Sequence, residues 1–151
     1  MLTWDQVREM ERSGICFGSH TLTHPVVSQL PSAVVERELR ESKELIEQRL
    51  GVPVWDFAYP FGKPADCGSA AEPMLTSCAY RSAMTTTEGI NVAGFNPYRL
   101  RRTQIGNSRS LSMFTFYLTK LFLQANANSS TVAAGASVAE ERIVLQDDLT
   151  S

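Results

Sequence analysis

Segments with a helical pattern alternate with short strand-like segments along this chain. Thr3 and Gln6 have the spacing of a capping box, which predicts a first helix over 3–14. The most regular helix is predicted over 32–50, where apolar residues recur every three or four positions and Gly51 follows. Short strands are predicted at 15–19, 54–59, 81–86 and 98–105, the first of them as a buried apolar run. The alternation predicts an α/β fold with parallel strands.

The later part of the chain is predicted to be helical and then to lose regular structure. One helix is predicted over 69–79, with Pro73 inside it, and another begins after Ser110 and continues through Leu121. From 125 onward the composition is low in complexity, which predicts a flexible tail over 125–151. Three or four strands are few for a closed or doubly wound sheet. The domain over 1–124 is therefore expected to be a piece of a larger one.

Composition argues against several classes of function. The chain has 14 Lys and Arg against 16 Asp and Glu, a net charge of -2, which disfavours nucleic acid as the main partner. No apolar run reaches the roughly 18 residues that span a bilayer. The three cysteines show no CxxC spacing, so they are interpreted as reduced thiols. No signal peptide is visible, and the expected location is cytoplasmic if Met1 is the true start.

His20 and His24 are the only histidines, and both directly follow the first predicted strand. Ligands of parallel α/β folds bind at the carboxyl ends of strands, and side chains four residues apart on one helical turn face the same way. Both imidazoles could therefore reach one metal ion. Two ligands are too few for a tight site, so a third, a carboxylate, would have to come from elsewhere. The alternative interpretation is two polar loop residues without a ligand.

Two other clusters lie near strand ends. Tyr59, Pro60 and Phe61 belong to a Pro-Phe-Gly turn whose backbone N–H groups could stabilise an oxyanion, or which could be an ordinary tight turn. Alternation along the strand predicted over 98–105 places Arg99 on one face and Arg102 on the other. These arginines could equally belong to a solvated edge strand.

The order of these motifs resembles the NodB-like polysaccharide deacetylases, which form carbohydrate esterase family 4. The matching pieces are W-x-x-V-x-x-M, G-S-H-T-x-T-H-P, a long charged helix ending in L-G, F-A-Y-P-F-G and Y-x-S-A, within residues 2–122. The resemblance implies a distorted (β/α) barrel, of which this chain would form a part. It also implies a metal-dependent hydrolase that removes acetyl groups from N-acetylated polysaccharides or oligosaccharides.

The resemblance assigns roles to individual residues. In such enzymes an Asp and two His hold a divalent ion, commonly zinc, and His20 and His24 match the two histidines. Phe61 occupies the position whose backbone N–H stabilises the oxyanion. Tyr59, Pro60 and Phe61 together match the turn that contacts the substrate.

The sequence departs from the family pattern at three places. Only Asp5 precedes His20, so the Asp-Asp motif that supplies a metal ligand and the catalytic base is not found. Ala58 stands where the family often has an Arg that orients the base, and Arg102 could substitute from a neighbouring strand. No histidine follows His24, so the usual general acid is not found either.

These departures predict a domain that lacks its first strands and associates with itself through exposed strand edges. A circular permutation could instead place the apolar run that ends in Asp147 and Asp148 at the missing strand, although a frayed acidic terminus explains that run more simply. Two other functions stay open. One is a non-catalytic glycan-binding descendant that uses Tyr59, Phe61 and Trp55. The other is a two-histidine metal-binding module completed by a partner.

Overall fold

The computed structural model describes residues 2–104 and 110–123. The chain divides into two compact units, one comprising Met1–Glu88 and Gly94–Thr103, the other Gly89–Ala93 and Gln104–Ser151. The first unit contains four helices and two strands among its described residues, with short 3₁₀ turns at Val27–Gln29 and Pro97–Arg99. In chain order these elements are α1 (Trp4–Arg12), α2 (Ser32–Leu50), β1 (Asp56–Ala58), α3 (Pro64–Cys67), α4 (Ala71–Ser77) and β2 (Ser82–Met84).

The strands of the first unit are parallel, as the sequence predicts. β1 pairs with β2 so that Phe57 lies opposite Ala83. Single parallel bridges extend the sheet on both sides, from Ser19 to Phe57 and from Met84 to Leu100. The four segments therefore lie in the order of residue 19, β1, β2 and residue 100, and their carboxyl ends share one edge.

The segments at the two sides of this sheet do not form continuous strands, so the prediction of strands there is wrong. In the segment 15–19 only Ser19 pairs with a neighbour, and Ile15 is 46% exposed, so this apolar run is not buried. In the segment 98–105 the described residues pair only through Leu100. The preceding residues form the 3₁₀ turn at Pro97–Arg99, because the Asn96 side chain accepts a hydrogen bond from the Tyr98 N–H and caps it.

The helices agree more closely with the predicted segments. The Thr3–Gln6 capping box is present, and Gly51 follows α2 with a left-handed φ of 74°. The segment predicted as one helix over 69–79 contains α4, with α3 before it and Gly68 between the two. Pro73 is tolerated because it lies in the first turn of α4, where a backbone N–H has no partner within the helix.

The core of the first unit lies between α2, α4 and the sheet. Leu39 of α2, Leu75 of α4 and Phe57 of β1 have no exposed surface. The Phe57 ring packs edge-on against Tyr59 at 5.1 Å between centroids. Tyr80 donates a hydrogen bond from its hydroxyl to the Leu39 carbonyl over 2.8 Å, which fixes α2 against the sheet. This packing determines where the carboxyl end of β1 lies.

In the second unit, residues 111–123 are helical, which confirms the helix predicted after Ser110. The predicted tail over 125–151, with Asp147 and Asp148, lies outside the described residues. None of the helices within 2–104 and 110–123 has the length and apolar character needed to cross a membrane. The division at residue 124 and self-association through strand edges stay predictions.

Candidate metal and active site

The site begins where Ser19 joins the sheet. The Ser19 N–H donates to the Asp56 carbonyl, and the Ser19 carbonyl accepts from the Ala58 N–H, both over 2.9 Å. The Ser19 side chain is buried, and its hydroxyl lies 2.6 Å from the hydroxyl of Ser42 on α2. Ser19 is therefore held from the sheet and from the helix together. His20 follows directly, at the carboxyl edge of the sheet.

The structure brings the two histidines together. Nδ1 of His20 lies 2.6 Å from the carbonyl oxygen of Ala58. Because a carbonyl oxygen can only accept, Nδ1 carries the proton of this hydrogen bond, and the neutral ring keeps its lone pair on Nε2. The His24 ring lies 4.9 Å from the His20 ring between centroids, and both side chains are exposed. A backbone carbonyl that fixes the tautomer in this way is typical of a metal-ligating histidine.

The segment between the histidines has an unusual backbone. Thr21 and His24 have φ values of 64° and 60°, in the left-handed region that residues with a side chain rarely adopt. Each such residue costs on the order of 1–3 kcal/mol, and such residues cluster at ligand sites. The Thr21 hydroxyl offsets part of this cost, because it donates to the His20 carbonyl and accepts from the His24 N–H.

A buried acid that sequence reasoning missed lies beneath this segment. Glu38 of α2 is 4% exposed, and its carboxylate accepts hydrogen bonds from the N–H groups of Leu22 and Thr23 and from the Thr23 hydroxyl. Burial alone would raise the pKa of Glu38, but the hydrogen bonds from Thr23 and Leu22 outweigh it and lower the pKa below its usual value. Glu38 is thus held as a carboxylate. Helical spacing was a usable signal, because Glu38 lies three residues after Val35 and four before Ser42, on the face of α2 that packs on the core.

The Pro-Phe-Gly turn forms the other wall of the site. Phe61 has a φ of 61°, and the Gly62 N–H donates to the Pro60 carbonyl over 2.6 Å, so the chain makes a γ-turn here. Thr86 holds this turn, since its hydroxyl donates to the Phe61 carbonyl and its N–H to the Gly62 carbonyl. The Phe61 ring is 55% exposed and lies 5.1 Å from the His24 ring between centroids. Within the described part of the chain, no backbone carbonyl accepts the Phe61 N–H.

The three residues predicted to contact substrate have different surroundings. Tyr59 is 1% exposed, and its hydroxyl donates to the Tyr98 carbonyl over 3.2 Å. Burial raises the pKa of the Tyr59 phenol well above its usual value. Pro60 is buried as well. Phe61 alone presents its side chain to solvent, and the other two support the turn from below.

The arginines predicted near the site fall into two groups. Arg102 donates from Nε to the Thr85 carbonyl over 2.7 Å, directly after β2, so it lies at the same sheet edge as His20. Arg99 instead forms an ion pair with Glu72 at 2.7 Å and donates to the Gly68 carbonyl. Arg99 therefore ties the 3₁₀ turn to α4.

Trp55 precedes β1 and so lies at the opposite end of the strand from the histidines. The Arg81 guanidinium stacks on its ring at 3.6 Å. Trp55 thus has a packing role at the amino end of the sheet, away from His20 and His24.

The chemistry of the donors fits two ligands of a divalent ion. Two exposed imidazoles close together, one with its tautomer fixed, are suitable nitrogen ligands for zinc. No group of three His, Cys, Asp or Glu that could hold an ion occurs in the ranges 2–104 and 110–123. Asp5 is therefore not grouped with the two histidines, and its exposed carboxylate pairs with Arg8 on α1.

A parallel sheet with two histidines and a Pro-Phe-Gly turn at its carboxyl edge has the architecture of the NodB-type deacetylases. A family model for polysaccharide deacetylase matches residues 2–72. The putative polysaccharide deacetylase YxkH of Bacillus subtilis is 27% identical over 121 residues, which are 80% of this chain and 42% of that protein. The chain is thus similar to the polysaccharide deacetylases, and its α/β fold resembles a part of their distorted (β/α) barrel.

Solved structures show the same likeness. The deacetylase PplD of Streptococcus pyogenes, in complex with acetate, is 28% identical with a TM-score of 0.70, over 76% of this chain and 49% of that one. A putative polysaccharide deacetylase of Bacillus anthracis is 30% identical with a TM-score of 0.65, over 76% of this chain and 35% of that one. The chain thus spans about half or less of the length of these relatives.

Proposed function

We propose that His20 and His24 hold a divalent metal ion, most simply zinc, in a site that hydrolyses the acetamido group of N-acetylated polysaccharides. The observation that carries this proposal is the 2.6 Å hydrogen bond from His20 Nδ1 to the Ala58 carbonyl, which leaves Nε2 free as a ligand. When bound, such an ion supplies Lewis-acid activation of water and of the amide carbonyl. The similarity to the deacetylase PplD of Streptococcus pyogenes supports the reaction class.

Phe61 has two roles in this proposal. Its N–H, next to the exposed ring and beside His24, donates a hydrogen bond to the oxyanion that develops when water attacks the amide. Its ring offers an apolar surface to the acetyl methyl group or to a sugar face. The ring is exposed and lies 5.1 Å from the His24 ring between centroids, in a turn where Phe61 has a positive φ.

Arg102 has the role of orienting a carboxylate that serves as general base. Its Nε is engaged by the Thr85 carbonyl, which fixes the plane of the guanidinium at the carboxyl edge of the sheet. The base and the third metal ligand are carboxylates from outside the described residues. A bound ion would leave its remaining positions open to water and substrate.

The test has two stages, because binding and hydrolysis need different groups. Zinc is first titrated calorimetrically into the protein and into a variant that carries His20→Ala and His24→Ala. Acetate release from N-acetylated chitooligosaccharides is then measured with and without a chelator. Zinc binding that the double variant lacks, and acetate release that the chelator abolishes, would support the proposal. Zinc binding that survives the double substitution would exclude these ligands, and acetate release that ignores the chelator would exclude metal dependence.

A further inference from the structure

Both carboxylate oxygens of Glu38 accept hydrogen bonds from the short loop between His20 and His24. Its Oε2 accepts from the N–H groups of Leu22 and Thr23 over 2.8 and 2.9 Å, and its Oε1 accepts from the Thr23 hydroxyl over 2.8 Å. The ion pairs seen among the described residues do not include it. A buried carboxylate is expensive to desolvate, so a purely structural core position would favour an apolar side chain.

The position of these hydrogen bonds explains why the buried residue is an acid. Leu22 and Thr23 lie between His20 and His24. Glu38 therefore forms hydrogen bonds with the middle of the segment that separates the two imidazoles. The residues on either side of Leu22 and Thr23, which are Thr21 and His24, have a left-handed backbone. Such conformations persist only where several surrounding contacts hold them in place. Glu38 supplies three of the hydrogen bonds that do so.

We propose that Glu38 is a positioning residue that sets the spacing and orientation of the His20–His24 pair. It touches neither imidazole and acts through the backbone between them. The benefit for metal binding rests on the proposed function, whereas the effect on the two rings does not. The two effects can therefore be measured separately.

The two rings can be observed directly, because the chain has only two histidines. Protein labelled with ¹⁵N-histidine and freed of any histidine tag gives imidazole signals from His20 and His24 alone. In the metal-free wild type, we expect His20 to show the tautomer protonated on Nδ1, since that nitrogen donates to the Ala58 carbonyl. In Glu38→Ala, we expect both rings to move toward the averaged signals of free imidazole.

Variants separate positioning from general stability. Glu38→Gln should restore most of the wild-type spectrum, because its amide oxygen can accept from both N–H groups while its NH₂ donates to the Thr23 hydroxyl. Tyr98→Phe is the matched control, since it removes the part-buried hydrogen bond from its hydroxyl to the Tyr80 carbonyl, away from the histidine loop. Glu41→Gln makes the same chemical change at an exposed position of α2. Neither control should move the histidine signals.

Zinc affinity gives the second readout. Loss of an outer partner of a metal ligand typically lowers affinity about 10–100-fold, and we expect Glu38→Ala to fall in this range. Should Glu38→Ala fail to fold, Glu38→Asp, whose carboxylate is one methylene shorter, takes its place in both measurements.

The outcomes distinguish this proposal from the proposed function. Histidine signals that stay unchanged in Glu38→Ala, with only a lower melting temperature, would overturn the positioning role. Histidine signals that move only as much as in Tyr98→Phe would overturn it as well. If the wild type itself binds no zinc, the proposed function fails, and the metal-free spectra still decide whether Glu38 positions the rings.

Discussion

His20 and Ala58 are joined by a hydrogen bond of 2.6 Å from the imidazole Nδ1 to the backbone carbonyl. The N–H of the same Ala58 donates to the carbonyl of Ser19, the residue before His20. One residue at the end of β1 therefore fixes both the entry of the histidine loop and the orientation of its first ring. Because both contacts use the backbone, they do not depend on the methyl side chain of Ala58. This explains how the site can be ordered although the expected arginine is not at that position.

The first prediction separates loop order from metal binding at His20. In His20→Asn, the amide nitrogen can replace Nδ1 as donor to the Ala58 carbonyl, but no atom replaces Nε2 as a metal ligand. We expect the unfolding free energy without metal to stay within about 0.5 kcal/mol of wild type, since the ring is exposed. Zinc in excess should raise the melting temperature of wild type and leave that of the variant unchanged. A zinc-induced rise of equal size in both proteins would contradict the ligand role of His20.

The second prediction concerns the glycine behind Phe61. Gly62 and Gly51 have nearly the same backbone, with φ of 70° and 74°. A Cβ at Gly62 would lie 2.9 Å from the Thr86 backbone nitrogen, whereas a Cβ at Gly51 would meet no atom within 4 Å. In both alanine variants the left-handed backbone lowers the free energy of unfolding by about 1–2 kcal/mol. Gly62→Ala should cost about 1–3 kcal/mol more, because it displaces Thr86 from the turn.

Urea unfolding of the two variants measures this difference, and Gly51→Ala is the matched control. Equal destabilisation by the two substitutions would mean that Thr86 gives way without cost. In that case the turn around Phe61 would be less constrained than its hydrogen bonds to Thr86 suggest.

Sequence patterns predicted the parts of this molecule that depend on local signals. The predicted bounds of α2 and its end at Gly51 agree with the structure. Apolar periodicity and a glycine cap both depend only on residues close together in sequence. The proximity of His20 and His24 was also predicted, but its reason was partly wrong, because no helical turn joins them and Thr21 and His24 have positive φ. The apolar run that ends at Ser19 was misleading, since hydrophobicity alone does not show whether a neighbouring element covers Ile15.

The support of the histidine loop could not be predicted in this way. Helical spacing to Val35 and Ser42 could have placed Glu38 on the inner face of α2. Its partner Thr23 lies 15 residues away in sequence, however, and only tertiary packing brings the two together. The positive φ of Thr21 and of Phe61 had no signal either, because these residue types rarely adopt it.

The third prediction is an order of reactivity for the three cysteines. Cys16 is exposed, Cys78 is partly buried and Cys67 is fully buried. Burial raises the pKa of the Cys67 and Cys78 thiols, which lowers the fraction of reactive thiolate at neutral pH. Iodoacetamide should therefore label Cys16 first, Cys78 more slowly and Cys67 last, as followed by peptide mass spectrometry. Labelling in urea is the control and should remove the order, whereas native labelling of Cys67 as fast as Cys16 would contradict the packing around α3.

The last prediction concerns stability in acid. Hydrogen bonds from Asn96 and Arg99 hold the pKa of Glu72 below its usual value of 4.5. A carboxyl whose pKa is lower in the folded state stabilises the fold above its unfolded pKa and loses this effect as the pH falls through the folded pKa. Glu72→Gln should therefore cost about 1 kcal/mol at pH 7, a modest figure because the side chain is partly exposed, and should weaken the loss of stability below pH 4.5. Urea unfolding at pH 7 and at several pH values below 4.5 tests this, with the exposed Glu44→Gln as control. If Glu72→Gln lost stability in acid as steeply as wild type, the contact of Arg99 with Glu72 would not be the cause of acid sensitivity.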